Sequence, residues 1–121
     1  INSAGKQLIH HACGHIKALL PLMATENVAA FESLTPVSTG NIQMCDCAAA
    51  WGDKFLMIGG LDPMFLIQCS EAELTDYLET TIAQMGDLRH KWIIANGDSL
   101  PPNVSPDKLR LVIEIAKNHK F

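Results

Sequence analysis

The 121-residue chain lacks the features that mark membrane, secreted or nucleic-acid-binding proteins. No apolar run approaches the roughly 18 residues that a membrane-spanning helix needs, and no secretory signal peptide is visible at its start. No basic cluster offsets the net charge of −4, which argues against nucleic acid as a partner. The sequence therefore predicts a cytoplasmic protein that binds neither membranes nor nucleic acid.

The four cysteines also lack a recognisable pattern. None forms a Cys-x-x-Cys pair, and none suggests a small secreted disulfide framework, so we interpret all four as reduced thiols. Cys45 and Cys47 lie two apart in a helix-like stretch, where such neighbours point in different directions, and we expect them to be small core residues. The chain also contains no GxGxxG or P-loop pattern for binding phosphate.

What the sequence does have is the composition of a globular domain. Apolar residues make up 48% and charged residues 18%, which is typical of folded proteins, and the length is that of about one domain. We expect residues 1–121 to form a single domain. The first residue is Ile1 rather than Met, and a predicted strand follows almost at once, so we interpret the chain as a fragment of a longer protein.

Short apolar runs alternate with helix-like segments along the whole chain. Strands are predicted at residues 7–12, 28–31, 54–58 and 91–95. Helices are predicted at residues 16–25, 41–51 and 71–88, and from about residue 106 onward. Ser70 and Glu73 form a capping box before the third helix, and Ser105 is a cap for the last one.

This alternation indicates four βα units of about 30 residues each, with parallel pairing of the strands. A complete (β/α)8 barrel needs about 250 residues, so the chain is predicted to be half of a TIM barrel or a small open α/β sheet. Polar clusters follow the strands, on the face where barrel enzymes place their sites, which favours the half-barrel. We expect its open edges to be covered by the other half of a parent protein or by a second copy.

The most informative motif lies at residues 11–14, at the end of the first predicted strand. Side chains two apart in a strand point the same way, so His11 and Cys13 are expected to share one face. Imidazole nitrogen and thiolate sulfur are ligands that zinc prefers, and the pair predicts half of a zinc site. The alternative is a hydrogen-bonded histidine beside a packed cysteine. His10, on the opposite face, and His15, in the turn, are not expected to be ligands.

Four motifs, in this order and spacing, resemble the carboxyl-terminal half of the uroporphyrinogen decarboxylase superfamily. They are His11-x-Cys13-Gly14, Phe31-Glu32 with Thr35-Pro36, Ile58-Gly59-Gly60-Leu61-Asp62-Pro63, and Gly97-Asp98-Ser99-Leu100-Pro101-Pro102-Asn103. The resemblance spans nearly the whole chain and is closer to the cobalamin-dependent methyltransferases than to the decarboxylase proper. It implies a (β/α)8 barrel in which the predicted strands are the fifth to the eighth.

The resemblance also implies zinc and methyl transfer. Zinc methyltransferases of the superfamily bind the metal through a His-x-Cys pair, matched by His11 and Cys13, and a later cysteine after a glycine. Gly97 matches that glycine, but Asp98 follows it. A carboxylate can ligate zinc, so the site is expected to be altered, weakened or lost. Zinc would deprotonate a thiol substrate, and the methyl group would move between that thiol, or another small methyl donor or acceptor, and a corrinoid (cobalamin) on a partner protein.

Other candidates lie at the remaining strand ends. Glu32 is either an oxygen ligand or the hydrogen-bond partner of a ligand histidine. Asp62 either contacts substrate or caps the following helix. Gly59 and Gly60 would let the backbone approach a bound cofactor closely. Asp98 is alternatively an ordinary turn residue.

Two other functions stay open. A metal-free, uroporphyrinogen decarboxylase-like lyase would need cations for several substrate carboxylates, and only Lys6, Lys17 and Lys54 lie near the relevant region. A non-enzymatic α/β binding module would use its glycine-rich strand ends to hold a phosphate or a protein partner. As a half-barrel on its own, the chain is not expected to turn over substrate.

Overall fold

A computed structural model describes residues 2–119 and contains a four-stranded parallel sheet. Its strands are β1 (Ile9–His11), β2 (Ala30–Leu34), β3 (Leu56–Leu61) and β4 (Trp92–Asn96). They lie in the order β1-β2-β3-β4, and each neighbouring pair is parallel. The predicted α/β class and the parallel pairing are confirmed.

Helices connect and follow the strands. They are α1 (Leu20–Met23), α2 (Met44–Trp51), α3 (Pro63–Gln68), α4 (Glu71–Met85) and α5 (Pro106–Asn118), with 3₁₀ turns at Asn2–Ala4, Lys17–Leu19 and Gly86–Lys91. The capping box predicted before α4 is present, and Ser105 caps α5 as predicted. The helix predicted at residues 16–25 is wrong in extent. Pro21 has no N–H to donate to the preceding turn, so it lies at the start of the short α1 instead.

The strand bounds also differ from the prediction, and β1 is only three residues long, where residues 7–12 were predicted, so Cys13 lies beyond it. β2 runs three residues beyond its predicted end at residue 31, and β3 runs three beyond residue 58. The extension of β3 brings Gly59 and Gly60 into the sheet, where they pair with Ile94 and Ala95 of β4. Glycine within a strand is typical of places where another backbone or a bulky side chain approaches closely.

All the helices lie on one side of the sheet. Parallel strands in sequential order are joined by right-handed crossovers, which place successive helices on the same face, and α1 contacts α2, α2 contacts α4, and α4 contacts α5. An open doubly wound sheet would instead reverse its strand order and carry helices on both faces. The arrangement is therefore that of a partial barrel-like fold.

The two faces of the sheet differ sharply in burial. Phe31, Met57 and Trp92 are in register and at most 2% exposed, so they face the helices; we call this side the helix-covered face. Ile9, Leu56 and Ile93 lie on the other side and are 53%, 39% and 48% exposed; this is the open face. The hydrophobic core thus lies between the sheet and the helices.

An aromatic cluster ties the first helices to the sheet. The ring of Phe31 stacks on Trp51 at 4.7 Å and meets Phe55 edge-on at 5.0 Å. Such pairs add about 0.5–1.5 kcal/mol to the free energy of area burial. The indole N–H of Trp51 donates to the carbonyl oxygen of Leu20 at 2.9 Å, so the buried aromatic ring also fixes α1 against α2.

The four cysteines have the state that the sequence predicts. All four cysteines are free thiols, as predicted, and Cys47 is fully buried in α2. Burial raises the pKa of the Cys47 thiol to about 12, which keeps it protonated and unreactive.

Among residues 2–119, every helix is too short or too polar to cross a membrane.

Candidate functional site

The carboxyl ends of the four strands meet at one edge of the sheet, which we call the rim. β1 and β2 bring two predicted site residues together there. His11 and Glu32 are register partners, and the Nδ1 atom of His11 lies 2.5 Å from the Oε1 atom of Glu32. Their side chains are 56% and 40% exposed, so the pair stays accessible to a ligand.

The contact between these side chains determines which imidazole nitrogen is available. An ionised carboxylate only accepts hydrogen bonds, so Nδ1 of His11 carries the hydrogen that is shared with Glu32. In the neutral imidazole, Nε2 then keeps its lone pair. Glu32 is thus the hydrogen-bond partner of His11, which is the arrangement that the second of its two predicted roles requires.

The neighbouring histidine lies on the other face, as predicted. His10 packs its ring 5.2 Å from Phe31, and its Nδ1 atom is 2.7 Å from Oε2 of Glu26. This pair resembles the His11–Glu32 pair in chemistry but is oriented toward the helices. It provides an internal comparison for any function assigned to His11.

Cys13 is exposed and follows β1 by two residues. The N–H of Ala12 donates to the Glu32 carbonyl at 2.9 Å, so pairing continues one residue beyond His11. Within residues 2–119, however, no three histidine, cysteine, aspartate or glutamate side chains come close enough together to hold a metal ion. His11 and Cys13 supply nitrogen and sulfur donors near the rim, and a third ligand would have to move in or come from elsewhere.

Asp98 has the geometry of a turn residue. It is exposed, and its Oδ1 atom accepts a hydrogen bond from the N–H of Ser99 at 2.7 Å. Immediately before it, the N–H of Gly97 donates to the Leu61 carbonyl at 2.8 Å and anchors the turn to β3. The backbone of this turn is fixed while the Asp98 side chain stays at the surface.

Asp62 caps α3 rather than facing solvent. One carboxylate oxygen accepts from the N–H of Phe65 at 2.9 Å and the other from the N–H of Thr39 at 2.8 Å. The residue is 2% exposed. Burial by itself would raise the pKa of Asp62, but hydrogen bonds from Thr39, Phe65 and Met64 outweigh it and lower the pKa. The carboxylate is committed to joining the loop after β2 to the start of α3, so the capping role is favoured over substrate contact.

Gly59 and Gly60 are explained by the packing of neighbouring strands. Both have positive φ, at 142° and 96°. A Cβ atom on Gly59 would overlap the backbone of Leu34, and one on Gly60 would lie 2.7 Å from the Trp92 ring. The close approach that glycine permits here is made by the protein itself, in place of the cofactor contact expected from the sequence.

The carbonyl groups of the same glycines are bound from the helix-covered side. The indole N–H of Trp92 donates to the Gly59 carbonyl at 2.9 Å, and the hydroxyl of Tyr77 donates to the Gly60 carbonyl at 2.5 Å. Burial raises the pKa of Tyr77 to about 12, so the hydroxyl remains a donor at neutral pH. Sequence reasoning missed both donors because α4 and β4 are far from β3 along the chain.

Thr35 is a second residue that sequence reasoning left without a role. It is 1% exposed, and its hydroxyl oxygen lies 2.8 Å from the carbonyl oxygens of both Ser33 and Gly97. Ser33 has a positive φ of 65° and lies where the pairing of β2 with β3 shifts register. The Thr35-Pro36 dipeptide was visible as a motif, but its contact with Gly97 joins residues 62 positions apart.

The helix N-termini that could bind an anion are capped by the chain itself. Asp62 caps α3, Ser70 with Glu73 caps α4, and Ser105 caps α5. At α2, Gln43 and Asp46 form a capping box. These intramolecular caps lower the support for a module that holds phosphate at its glycine-rich strand ends.

The fold and the rim together are those of an α/β protein whose four-stranded parallel sheet is consistent with a partial barrel and carries polar groups at the carboxyl ends of its strands. The family model for uroporphyrinogen decarboxylase (URO-D) matches residues 1–119. The chain therefore belongs to the uroporphyrinogen decarboxylase family, whose members are enzymes. No curated protein matches the chain.

Proposed function

We propose that the chain is the carboxyl-terminal half of a (β/α)8 barrel and carries part of the active site of a methyltransferase of this family. The observation that carries the proposal is the exposed His11–Glu32 pair at the rim, with Cys13 two residues further along. These residues lie at the carboxyl ends of the strands, which is the side where barrel enzymes bind substrate. The free thiols favour a reducing compartment such as the cytoplasm.

The exposure of the open face supports the half-barrel. Parallel sheets are normally covered on both faces, yet Ile9, Leu56 and Ile93 are between 39% and 53% exposed there. β1 and β4 are the outer strands of the described sheet, and outer strands present unpaired backbone groups. Further βα units would cover both features, either from an amino-terminal half of the parent or from a second copy of the chain.

The donors at the rim suit zinc in kind. His11 would bind through Nε2 and Cys13 through its sulfur, and Asp98 or Glu32 would supply an oxygen ligand; nitrogen, sulfur and oxygen are all zinc ligands in proteins. When bound, zinc would stabilise a thiol substrate as its thiolate. Because the described residues assemble only part of such a set, the proposal requires one of these two carboxylates to move and complete it.

Glu32 has a defined task in this proposal. By accepting the Nδ1 hydrogen of His11, it fixes the tautomer and the orientation of the ring. The pair lies at the rim and is half-exposed, so a large partner can reach it. We propose that this partner is a corrinoid protein, which exchanges a methyl group with a thiol or another small methyl substrate.

Zinc binding tests the proposal. The purified chain should bind one zinc ion, measured by elemental analysis and by competition with a chromophoric chelator. His11→Ala and Cys13→Ser should each abolish this binding. His15→Ala, in the turn, and Cys45→Ser, in α2, are matched controls that should keep it. A chain that takes up no zinc, or loses it equally in all four variants, contradicts the proposal.

A metal-free lyase that resembles uroporphyrinogen decarboxylase is the second candidate. The observation that favours it is that His11 and Glu32 already form a hydrogen-bonded pair, while no three metal ligands converge among residues 2–119. Decarboxylation breaks a carbon–carboxylate bond and the carbon then takes a proton, which His11 could donate. Carbon dioxide release from a porphyrinogen by the zinc-depleted full-length protein would support this candidate.

The lysines that the sequence offered to that candidate give it little help, and Lys54 precedes β3 and so lies away from the rim. Lys17 pairs with Asp46 at 2.9 Å, and Lys54 donates to the Ala24 carbonyl at 2.5 Å. Cations that are engaged elsewhere are poor binders for several substrate carboxylates. The methyltransferase therefore remains the leading proposal.

A further inference from the structure

We infer that Thr35 is a positioning residue of the rim: its buried hydroxyl locks the end of β2, which carries Glu32, to the turn after β4, which carries Asp98. The role of this lock in ligand binding rests on the proposed function, because Glu32 and Asp98 matter for zinc only there. The lock itself is a property of the fold and can be tested without metal.

The contacts of Thr35 define the lock. Its hydroxyl oxygen lies 2.8 Å from the carbonyl oxygens of Ser33 and Gly97. A hydroxyl has one hydrogen to donate, so the two carbonyls share it. At 1% exposure, water cannot easily replace the hydroxyl at either carbonyl. Both loop ends therefore depend on the same buried donor.

The hydroxyl reaches past the strand between its two partners. β3 separates β2 from β4 in the sheet, and strands two places apart lie about 9.5 Å from each other. A direct contact requires the ends of β2 and β4 to converge beyond β3. The lack of side chains at Gly59 and Gly60 permits the close approach of Leu34 and Trp92 to that strand, which contributes to this convergence.

Two further glycines leave room for Thr35. A Cβ atom on Gly97 would lie 2.6 Å from Cβ of Thr35, and one on Gly40 would lie 2.8 Å from its carbonyl carbon. Neither glycine is among the residues with positive φ. At both positions a side chain would collide with Thr35, although the backbone conformation would allow one. Close packing against Thr35 therefore explains both glycines.

The same hydroxyl holds the bulge that aims Glu32. Ser33 follows Glu32 directly and has a φ of 65°, a conformation that non-glycine residues adopt only where the surroundings maintain it. Bulges of this kind reorient neighbouring side chains. By holding the Ser33 carbonyl, Thr35 maintains the backbone that directs Glu32 to His11, and by holding Gly97 it fixes the base of the Asp98 turn.

Amide hydrogen exchange of the metal-free chain tests the lock. In Thr35→Val, which keeps the shape and removes the hydroxyl, residues 32–34 and 97–99 should both exchange at least tenfold faster, while α4 and α5 keep their protection. Thr35→Ser should restore wild-type rates. Thr75→Val is the control: the Thr75 hydroxyl donates to the Glu71 carbonyl within α4, so its loss should not affect the rim.

The outcomes separate the lock from the proposed function. Faster exchange in one segment only, or uniformly over the molecule, overturns the inference. If Thr35→Val does not fold, Thr35→Ser decides, since loss of protection in either segment of that variant contradicts a role for the hydroxyl. Zinc affinity is measured in parallel and should fall at least tenfold in Thr35→Val; a wild-type chain that binds no zinc refutes the proposed function and leaves the exchange result valid.

Discussion

The two halves of the rim are built differently. At the ends of β1 and β2, the side chains of His11 and Glu32 are half-exposed and hydrogen-bonded to each other. At the end of β3, the polar groups are buried and satisfied: Asp62 caps α3, and the carbonyls of Gly59 and Gly60 accept from aromatic side chains. The first half offers reactive groups to a ligand, while the second fixes the geometry of the edge.

This contrast follows from the energetics of polar groups. An exposed pair of polar side chains contributes at most about 1 kcal/mol to stability, so His11 and Glu32 can bind a ligand without destabilising the fold. A buried polar group that loses its partner destabilises the protein by about 1–3 kcal/mol, so Asp62 cannot be released for chemistry at little cost. Along the same edge of the sheet, the candidate ligand groups and the groups that stabilise the fold are therefore different residues.

The largest effect should come from adding a methyl group to the supporting half. Gly59→Ala would force a Cβ into the Leu34 backbone at a φ of 142°, and we expect it to lower the free energy of unfolding by about 3 kcal/mol or more. Gly86→Ala is the control, since Gly86 has a φ of 52° with open space around it, and should lose only about 1–2 kcal/mol. Urea unfolding measures both, and equal losses would disprove the packing explanation.

Removing the buried carboxylate should have the next largest effect. Asp62→Ala should lower the free energy of unfolding by about 2–3 kcal/mol at pH 7, because two backbone N–H groups lose a charged acceptor. The pKa of Asp62 is lowered in the folded state, so its contribution is present above the unfolded pKa of about 3.9 and is lost as the pH falls through the lower folded value.

Unfolding of the wild type and of Asp62→Ala should therefore converge as the pH is taken from 7 down to 2. Asp98→Ala serves as the comparison, because Asp98 is exposed and its removal should change stability by no more than about 0.5 kcal/mol. A gap between wild type and Asp62→Ala that stays constant down to pH 2 would falsify the capping role of an ionised Asp62.

Neutralising the reactive half should affect zinc more than stability. Glu32→Gln should weaken zinc binding 10- to 100-fold, about 1.4–2.7 kcal/mol, since it alters the partner that orients a ligand histidine. The loss of unfolding free energy should stay below about 1 kcal/mol. Glu26→Gln makes the same change to the partner of His10 on the helix-covered face and should leave zinc affinity unchanged. Equal loss of zinc affinity in both variants would mean that the His11–Glu32 pair has no specific role in zinc binding.

The smallest effect is expected at the turn after β4. Asp98→Cys introduces the thiol that the resemblance places after the glycine, and it should tighten zinc binding about tenfold, or about 1.4 kcal/mol. Stability should change by no more than about 0.5 kcal/mol, since the side chain is exposed. Ser99→Cys, one residue further, is the control for a non-specific thiol. Equal tightening in both would mean that position 98 is not a ligand position.

Local signals explain where sequence-based prediction succeeded. The capping box of Ser70 and Glu73 and the Ser105 cap depend on residues three or fewer positions apart, and both helix starts are where they were predicted. The end of α4 was predicted at residue 88, which is too late. The helix ends at Met85, since Gly86 follows it with a positive φ. The short α3 was missed, although Asp62 before Pro63 is a helix-start signal.

Long-range contacts explain where it failed. The predicted strand ended before Gly59 and Gly60, since paired glycines usually mark loops. Both glycines belong to β3, where Trp92 and Tyr77 donate hydrogen bonds to their carbonyls. Thr35 had no assigned role, because its second acceptor is Gly97, on the far side of β3.

The sequence by itself determined the alternation of strands and helices, their parallel pairing, and the chemistry available at the end of β1. These properties depend on periodicity, caps and residue type, which act over a few neighbouring residues. Only the tertiary structure decided that Glu32 would meet His11 and that both oxygens of the Asp62 carboxylate would be bound by backbone N–H groups. Both outcomes depend on the register of the parallel strands and on the loops that follow them, because these bring together atoms that the chain separates by more than twenty residues.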